Sequence, residues 1–444
     1  MTESWQEKRP VGGSYLTAQY GLEQLARGEG FKQPLRPHIS KQRTQAHNVP
    51  KPSTVARIGS FKERTDPMVP IYTPIKFDGF EFCLLRLLKG SNHPIRCELF
   101  NASLEGPSCH PKYYALSYTW GNLDDTSRIV VDEVQREVGK NLEQALAALR
   151  RRDENLILWV DTVCIDQENL HERNRQVQLM AKIYHNAEEV FIYLGETNHR
   201  INLAMKIMHE AEEHDQNTIH DWEDGKMYRL DSVKSEVKLK GLGSIGDAKQ
   251  GLLDLLSRPW FDRVWILQEV AHARSARIFC GPQSVSTRVF RRAPIVAHVE
   301  VKQHCQAVLD IMPGISQKRI WWGPNRDIVS LLKRFKDSKA TDERDKVYAL
   351  LSISSDASES EHLHPEYQKC IGCVMYDTIT FILNYHSQDA LLEPFLEWNF
   401  NQLVENIGSL RELAIKWAVE SKKPDILEKL LPHYGTMQQT GSSR

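Results

Sequence analysis

The stretch of this sequence that says most about its architecture runs from residue 156 to residue 194. It opens with Leu156-Ile157-Leu158-Trp159-Val160 and closes with Val190-Phe191-Ile192-Tyr193-Leu194, two uninterrupted apolar runs. Runs of this kind are typical of strands that are buried on both faces of a sheet. Between them, apolar residues recur at helical spacing, namely Val177, Met180, Ala181 and Tyr184. The stretch therefore predicts a strand–helix–strand crossover, which joins parallel strands.

The flanking sequence extends this crossover to a larger sheet. Upstream, apolar and β-branched runs predict strands at 82–88, 95–99, 114–121 and 128–131, and one apolar helical face predicts a helix at 141–152. Downstream, a strand is predicted at 278–281, and helices follow at 326–337, 346–353, 368–386, 409–420 and 424–432. The predicted fold class is α/β: a mostly parallel sheet with flanking helices, followed by a mainly helical C-terminal region.

Composition shifts divide the chain into four predicted segments. Residues 1–70 are polar and lack an apolar period, so we expect a disordered tail. The sheet domain is predicted at 71–285, with a charged insertion loop at 214–247. A helical extension is predicted at 286–400, and a C-terminal helical hairpin and tail at 401–444. The hairpin resembles one ankyrin-like helix pair, and a single pair is too few for a solenoid.

Charge and hydropathy give little indication of a nucleic acid or a membrane as partner. The chain has 57 Lys and Arg residues against 58 Asp and Glu residues, a formal net charge of −1. No apolar run approaches the roughly 20 residues that span a bilayer, and the N-terminus lacks the apolar core of a secretory signal. The eight cysteines are scattered. We expect a cytoplasmic protein, and the basic residues of the tail leave a nuclear address open.

Three blocks carry family information, and they read YALSYTWG at 114–121, LWVDTVCIDQ at 158–167 and RPWFDRVWILQE at 258–269. Taken in this order and spacing, they resemble the heterokaryon incompatibility (HET) domain of fungi. The resemblance is strong over residues 84–281 and looser over 326–390, where the block ATDERDKVYALL at 340–351 also resembles a segment of such proteins.

The resemblance implies a function in fungal non-self recognition, in which fusion of genetically different hyphae triggers programmed cell death. It also implies protein partners or self-association. The HET family is considered distantly similar to TIR domains, some of which cleave NAD. Two alternatives therefore stay open: a TIR-like hydrolase, for which NAD would be the substrate, and a non-catalytic binding scaffold. No resident cofactor is expected, and a phosphate-binding G-x-x-x-x-G-K-[ST] motif is absent from the sequence.

Polar residues follow two of the predicted strands at the point where each strand ends. In open parallel sheets, ligands bind beyond these carboxyl ends, so a nucleotide-sized site is predicted there. Asp161 is assigned a catalytic role in it, and the ligand-binding residues are predicted to be Trp120, Gly121, Cys164, Asp166 and Gln167. The alternative is that Asp161 caps a turn and Trp120 belongs to the core.

A second candidate is the pair Gln268-Glu269, which lies in an otherwise apolar stretch. A buried carboxylate is costly unless it is paired or functional. As a catalytic residue, Glu269 would stabilise an oxocarbenium-like transition state, and Gln268 would contact the ligand. The alternative is a structural pair of Glu269 with Arg263, Arg258 or a backbone N–H.

The cysteines offer two weaker alternatives. Cys164 would be a nucleophile if His171 or His185 served as its base, and otherwise it is a small buried apolar residue. The pair Cys370-x-x-Cys373, with His362 and His364 upstream, has only one half of a zinc-binding pattern. We therefore expect no metal, and we expect both cysteines to pack within their helix.

Overall fold

The computed structural model describes residues 79–91, 94–106, 110–122, 124–216, 244–314, 322–323, 325–385 and 391–431. The predicted tail at 1–70 and most of the predicted insertion at 214–247 lie outside these residues. Contacts divide the chain into two units, of which one falls within residues 57–410 and the other includes residues 411–431.

A nine-stranded sheet forms the centre of the larger unit. Its strands are β1 (Glu81–Leu87), β2 (Arg96–Ser103), β3 (Tyr114–Tyr118), β4 (Thr126–Val131), β5 (Val134–Gly139), β6 (Leu156–Trp159), β7 (Val190–Tyr193), β8 (Ala276–Cys280) and β9 (Gln283–Ser286). They lie in the order β5-β4-β2-β1-β6-β3-β7-β8-β9. The predicted α/β fold class is confirmed.

The four central strands, β6-β3-β7-β8, are parallel. The two apolar runs become β6 and β7, as predicted, and both pair with β3, which lies between them. Their residues are almost fully buried because helices cover both faces. The crossover from β6 to β7 therefore passes over β3, and it brings the carboxyl ends of β6, β3 and β7 to one edge of the sheet.

Antiparallel strands flank this parallel centre. The predicted strands at 82–88 and 95–99 become β1 and β2, which pair with each other, and β1 also pairs with β6. Two strands were not predicted: β5, which forms a hairpin with β4, and β9, which forms one with β8. The β4–β5 turn uses Asp132 and Glu133 at φ 49° and 62°, the left-handed geometry of a two-residue hairpin turn without glycine. Neither edge strand has the clean apolar alternation that identifies a strand in sequence.

The helices of the sheet region connect its strands. They are α1 (Lys140–Leu149), α2 (Asp161–Cys164), α3 (Leu170–Asn186), α4 (His199–Gln216), α5 (Ile245–Leu256) and α6 (Ile266–Ala271). The Asn169 side chain caps α3 by accepting the backbone N–H groups of His171 and Glu172. Residues 259–271 form two short helices, because a 3₁₀ turn at Pro259–Asp262 ends before α6 begins.

The rest of this unit is helical, as predicted. It contains α7 (Thr287–Phe290), α8 (Ala293–Ala297), α9 (Gln303–Ile311), α10 (Ile328–Arg334), α11 (Asp345–Leu351), α12 (Ile371–Leu383) and α13 (Phe400–Asn406). The helices α7, α8 and α9 were not predicted. Among the described residues, no helix combines the length and the apolar character that crossing a bilayer requires.

The second unit is described over one helical hairpin. Helix α14 (Leu410–Glu420) leads into this unit and is followed by α15 (Pro424–Leu430). The Arg411 side chain donates a hydrogen bond of 2.9 Å to the carbonyl of Leu430 and thereby joins the two helices. The predicted helices at 409–420 and 424–432 are confirmed, whereas the ankyrin-like relationship stays a prediction.

Candidate functional site

The candidate site lies beside two neighbouring parallel strands, β3 and β7, whose following connections run in opposite directions along the sheet. After β3 the chain runs through β4 and β5 to β6, all on one side of β3 in the strand order, whereas after β7 it continues to β8 on the other side. In open α/β sheets, such a switch in direction leaves a crevice at the carboxyl ends of the two strands, and ligands bind there. The residues after β3, 119–121, and after β7, 194–196, form the edges of this position.

Two predicted site residues, Trp120 and Gln167, hydrogen-bond to Asp161 next to this position, at the ends of β3 and β6. The indole N–H of Trp120 donates a hydrogen bond of 2.9 Å to Oδ2 of Asp161. The backbone N–H of Thr162 donates one of 2.8 Å to Oδ1. The Gln167 side chain donates one of 2.9 Å to the Asp161 carbonyl. Trp120, Asp161 and Gln167 all remain partly exposed. The carboxylate therefore joins the ends of β3 and β6.

Glu269, on helix α6, lies close enough to Asp161 and Arg263 to interact with their charges. It is 1% exposed, and it hydrogen-bonds to the Ser117 side chain. The Ser117 hydroxyl also accepts the indole N–H of Trp260 at 2.8 Å. The second carboxylate oxygen of Glu269, Oε2, has no hydrogen-bond partner among the described residues. A buried carboxylate with one unpartnered oxygen is costly in its charged form.

Arg263 supplies the positive charge between the two carboxylates. It follows the 3₁₀ turn, and its guanidinium donates a hydrogen bond to the carbonyl of Tyr118 at the end of β3. The Tyr118 hydroxyl lies 2.7 Å from the Thr162 hydroxyl. We call Trp120, Asp161, Arg263 and Glu269 the rim cluster. It draws one or more residues from each of the three motif blocks.

Burial controls the protonation of the rim cluster. It raises the pKa of Glu269 to about 7, opposed by the nearby charge of Arg263 and reinforced by that of Asp161. Burial also raises the pKa of Asp161, again opposed by Arg263 and by the hydrogen bond from Trp120. The phenol of Tyr118 has its pKa raised by burial as well. Glu269 therefore titrates near neutral pH.

Other predicted site residues lie outside the cluster. Cys164 is fully buried, and its thiol accepts the backbone N–H of Val160 at 3.4 Å. Burial raises the pKa of this thiol well above its ordinary value, whereas His171 and His185 are exposed. The alternative of a cysteine nucleophile is therefore wrong, because a nucleophilic cysteine needs a thiolate that substrate can reach. Cys164 is a core residue.

The remaining three predicted site residues are Asp166, Gly121 and Gln268. They stabilise a turn, allow a turn or lie next to Glu269. Asp166 accepts the backbone N–H of Glu168 at 3.2 Å and so stabilises the turn before α3. Gly121 has φ +82°, and a Cβ there would lie 2.7 Å from the Asn141 side chain, so this turn requires glycine. Gln268 is 2% exposed, and its Oε1 has no partner among the described residues.

Sequence reasoning did not identify Ser117, Tyr118, Trp260 or Thr162, and it named Arg263 only as an ion-pair partner. Each lies inside a motif block, which was the available signal. Ser117 is a strand residue that is 1% exposed, and a buried serine inside a strand gives no indication of which carboxylate it meets.

No group of three or more His, Cys, Asp or Glu side chains in the described part of the chain is arranged to hold a metal ion. The packing predicted for Cys370 and Cys373 is wrong, because both are exposed and they form a disulfide. A cavity of about 160 Å³ lies elsewhere, and it is lined by Val270, Ala271, Ala273, Arg274, Asp310, Ile311, Met312, Pro313, Gly314 and Trp322.

Comparison with known proteins connects these blocks to one family. Residues 113–269, which contain the whole rim cluster, match the family model described as "Heterokaryon incompatibility protein (HET)". The chain is similar to "Heterokaryon incompatibility protein 6, OR allele" of Neurospora crassa, with 24% identity over 319 residues, 61% of this chain and 46% of that protein. It is also similar to "Vegetative incompatibility protein HET-E-1" of Podospora anserina, with 30% identity over 89 residues, 19% of this chain and 6% of that protein.

The chain thus spans about half the length of the first relative and a small part of the second. No solved structure matches it.

Proposed function

Because residues 113–269 are a heterokaryon incompatibility domain, we propose that this chain acts in fungal non-self recognition and triggers programmed cell death when genetically different hyphae fuse. The observation that carries the proposal is the family match, which contains the three motif blocks in their order. The names of both relatives, each an incompatibility protein, support it. The chain acts in the cytoplasm, through protein partners or through association with itself.

We assign the function to the rim cluster. Trp120, Asp161, Arg263 and Glu269 come from three separated blocks, yet they share hydrogen bonds or charge interactions at one edge of the sheet. Two of them, Trp120 and Asp161, remain partly exposed, so a partner or ligand can reach them. Glu269 lies beneath them and sets the charge of the cluster through its own protonation.

The test is regulated expression of the chain in a filamentous fungus, with viability counted as colony-forming units after induction. We expect wild type to reduce viability, and we expect Asp161→Asn and Glu269→Gln to restore it by at least about tenfold. The matched control is Glu168→Gln, since Glu168 is an exposed carboxylate in the same loop. Circular dichroism and immunoblots must show that all variants are folded and equally abundant.

Two outcomes decide between the family function and the assigned residues. Full viability with abundant, folded wild-type protein would contradict a death-inducing function. Killing by folded Asp161→Asn and Glu269→Gln at the wild-type level would instead remove the rim cluster from the function and leave the rest of the proposal standing.

One observation favours a second candidate, a TIR-like NAD hydrolase. Trp120 of the cluster follows β3, one of the two strands at the switch point, and nucleotides bind at such positions in open α/β sheets. Asp161 is exposed enough to contact a ribose, whereas Glu269 would need an opening of the cluster to do so. If the chain is such a hydrolase, Asp161 and Glu269 are its catalytic residues. The ligand is then contacted by Trp120, Gly121 and Gln167.

Incubating concentrated purified protein with NAD and following nicotinamide by chromatography tests this candidate. Release that is lost in Asp161→Asn and kept in Glu168→Gln would support it. Killing in the fungal assay without nicotinamide release would favour a non-catalytic scaffold, and a size-exclusion profile would then show whether the scaffold assembles.

A further inference from the structure

Cys370 and Cys373 differ from the other described cysteines. They form a disulfide at the start of helix α12, and both residues are exposed. The five free cysteines of the described chain are all buried, namely Cys83, Cys97, Cys164, Cys280 and Cys305. Among the described cysteines, the two that are exposed are therefore also the two that form a disulfide.

The position of the pair suits reversible chemistry. Cys370 is the N-cap of α12, a helix of 13 residues, and its sulfur accepts the backbone N–H of Cys373 at 3.1 Å. The positive end of a helix dipole, together with an N–H donor, stabilises a thiolate at this position. Elsewhere, burial raises the pKa of Cys97 and Cys305 to about 12, which keeps those thiols protonated and unreactive.

The backbone around the pair is anchored. The Arg344 guanidinium donates hydrogen bonds to the carbonyls of Tyr367 at 2.8 Å and of Lys369 at 2.7 Å, immediately before Cys370. Between the cysteines, a Cβ at Gly372 would lie 3.3 Å from the Leu396 carbonyl. The two sulfurs are thus held at the surface on a fixed turn, and a reagent can reach them without unfolding of the chain.

We propose that Cys370 and Cys373 form a thiol–disulfide exchange site, which a dithiol reductant opens and a disulfide oxidant closes. This site uses none of the residues of the rim cluster, and it rests on the proposed function only through the cytoplasmic location. A disulfide that a protein retains in a reducing compartment is typically of this reversible kind rather than structural.

The exchange balances as a two-electron transfer. A thiolate of the reductant attacks Sγ of Cys373, the bond between the two sulfurs breaks, and its electron pair leaves on Sγ of Cys370. That thiolate is the better leaving group, because the Cys373 N–H and the helix terminus stabilise it. The second thiolate of the reductant then attacks the mixed disulfide and releases Cys373. The reductant is oxidised to its disulfide, and solvent protonates the released thiolates according to pH.

The experiment equilibrates the native full-length chain in buffers of varied reduced-to-oxidised dithiothreitol ratio. Thiols are then trapped in acid, denatured and labelled with a maleimide–polyethylene glycol, and gel shifts count them. We expect a single transition between states that differ by two labelled thiols. Peptide mass spectrometry of the wild type should locate both on the peptide that contains Cys370 and Cys373, a result that does not depend on any variant folding.

Variants then assign the chemistry. In Cys370→Ser/Cys373→Ser the two-thiol transition should disappear, whereas in the control Cys305→Ala it should persist. With one partner removed, Cys370 in Cys373→Ser should react with iodoacetamide at pH 7 about fivefold faster than Cys373 in Cys370→Ser, because the helix terminus stabilises its thiolate. Two results would overturn the proposal: two free thiols at 370 and 373 in every buffer, or a disulfide there that yields only after denaturation.

Discussion

The indole N–H of Trp120 donates a hydrogen bond of 2.9 Å to the carboxylate of Asp161, and this bond joins the loops that follow β3 and β6. These strands are parallel neighbours in the sheet, and the hydroxyls of Tyr118 and Thr162, 2.7 Å apart, also join their carboxyl ends. A carboxylate acceptor makes such a bond stronger than one between two neutral groups. The bond between Trp120 and Asp161 therefore fixes the edge of the sheet at which the rim cluster lies.

Replacing Trp120 by Phe should lower the free energy of unfolding by about 1 kcal/mol in addition to the loss of packing, because Asp161 loses one donor and keeps the backbone N–H of Thr162. The measurement is urea unfolding of a double-mutant cycle with Asp161→Ala, where we expect a coupling energy of about 1 kcal/mol. The control cycle uses Trp398→Phe, since Trp398 packs edge-on against Phe395 instead. Equal coupling in both cycles would contradict a specific bond between Trp120 and Asp161.

The centre of the fold was predictable because local sequence carries it. The runs at 156–160 and 190–194 are apolar throughout, and only strands covered on both faces need that pattern. The place of β3 between them was not predictable, because it depends on packing between distant residues. The edge strands β5 and β9 escaped prediction since edge strands bury little and tolerate polar residues.

The candidate site was predictable to a similar extent. Asp161 and Trp120 follow strands, so the rule that ligands bind beyond carboxyl ends selected them. Cys164 lies three residues after Asp161, yet the helical turn α2 directs its side chain into the core. The position of Glu269 under the cluster depends on the break between the 3₁₀ turn and α6, which apolar periodicity does not reveal.

The raised pKa of Glu269 predicts a stability that depends on pH. Between its ordinary value of 4.5 and its folded value of about 7, the folded chain holds a proton that the unfolded chain has released. The free energy of unfolding therefore falls as pH rises through this interval, and this contribution is constant above it. At 1.36 kcal/mol per pH unit, the loss amounts to about 3 kcal/mol.

Glu269→Gln should remove this dependence, because the amide stays neutral and can keep the bond to Ser117. Relative to wild type, we expect the variant to gain about 3 kcal/mol of unfolding free energy between pH 4.5 and pH 8, measured by urea titration at each pH. Glu168→Gln, at an exposed position in the Asp166 turn, should follow wild type. If the difference in unfolding free energy between Glu269→Gln and wild type did not change from pH 4.5 to pH 8, the pKa of Glu269 would not be raised in the folded chain.

A close approach between two helices depends on Gly251. A Cβ on this residue of α5 would lie 2.1 Å from the carbonyl oxygen of Arg200 in α4, and backbone cannot move aside as a side chain can. Gly251→Ala should therefore lower the free energy of unfolding by about 2 kcal/mol or more, despite a gain in helix propensity of about 1 kcal/mol. Differential scanning calorimetry or urea unfolding measures the change.

The matched control for this prediction is Gly246→Ala, in the first turn of the same helix. Its Cβ would meet only the Ser244 hydroxyl, at 3.4 Å. The propensity gain is then unopposed, and we expect unchanged stability or an increase of up to about 1 kcal/mol. If Gly251→Ala proved as stable as Gly246→Ala, the two helices could not approach as closely as described.

The hydroxyl of Tyr367 donates a hydrogen bond of 2.6 Å to the carboxyl of Asp345 and joins the segment before α12 to α11. Asp345 is 6% exposed, and burial raises its pKa to about 6, an effect that the bond from Tyr367 opposes. Tyr367→Phe should therefore cost about 2 kcal/mol of unfolding free energy at pH 7, because it leaves a buried carboxylate without this donor.

Tyr348→Phe is the control, since the Tyr348 hydroxyl donates to a neutral backbone carbonyl, that of Glu366, at 2.9 Å. Its loss should cost about 1 kcal/mol. Below pH 5 the Asp345 carboxyl is protonated in the folded chain, so the cost of Tyr367→Phe should shrink toward that of Tyr348→Phe, whereas the cost of Tyr348→Phe should stay constant. A cost of Tyr367→Phe that does not change with pH would mean that the charge of Asp345 contributes nothing to this contact.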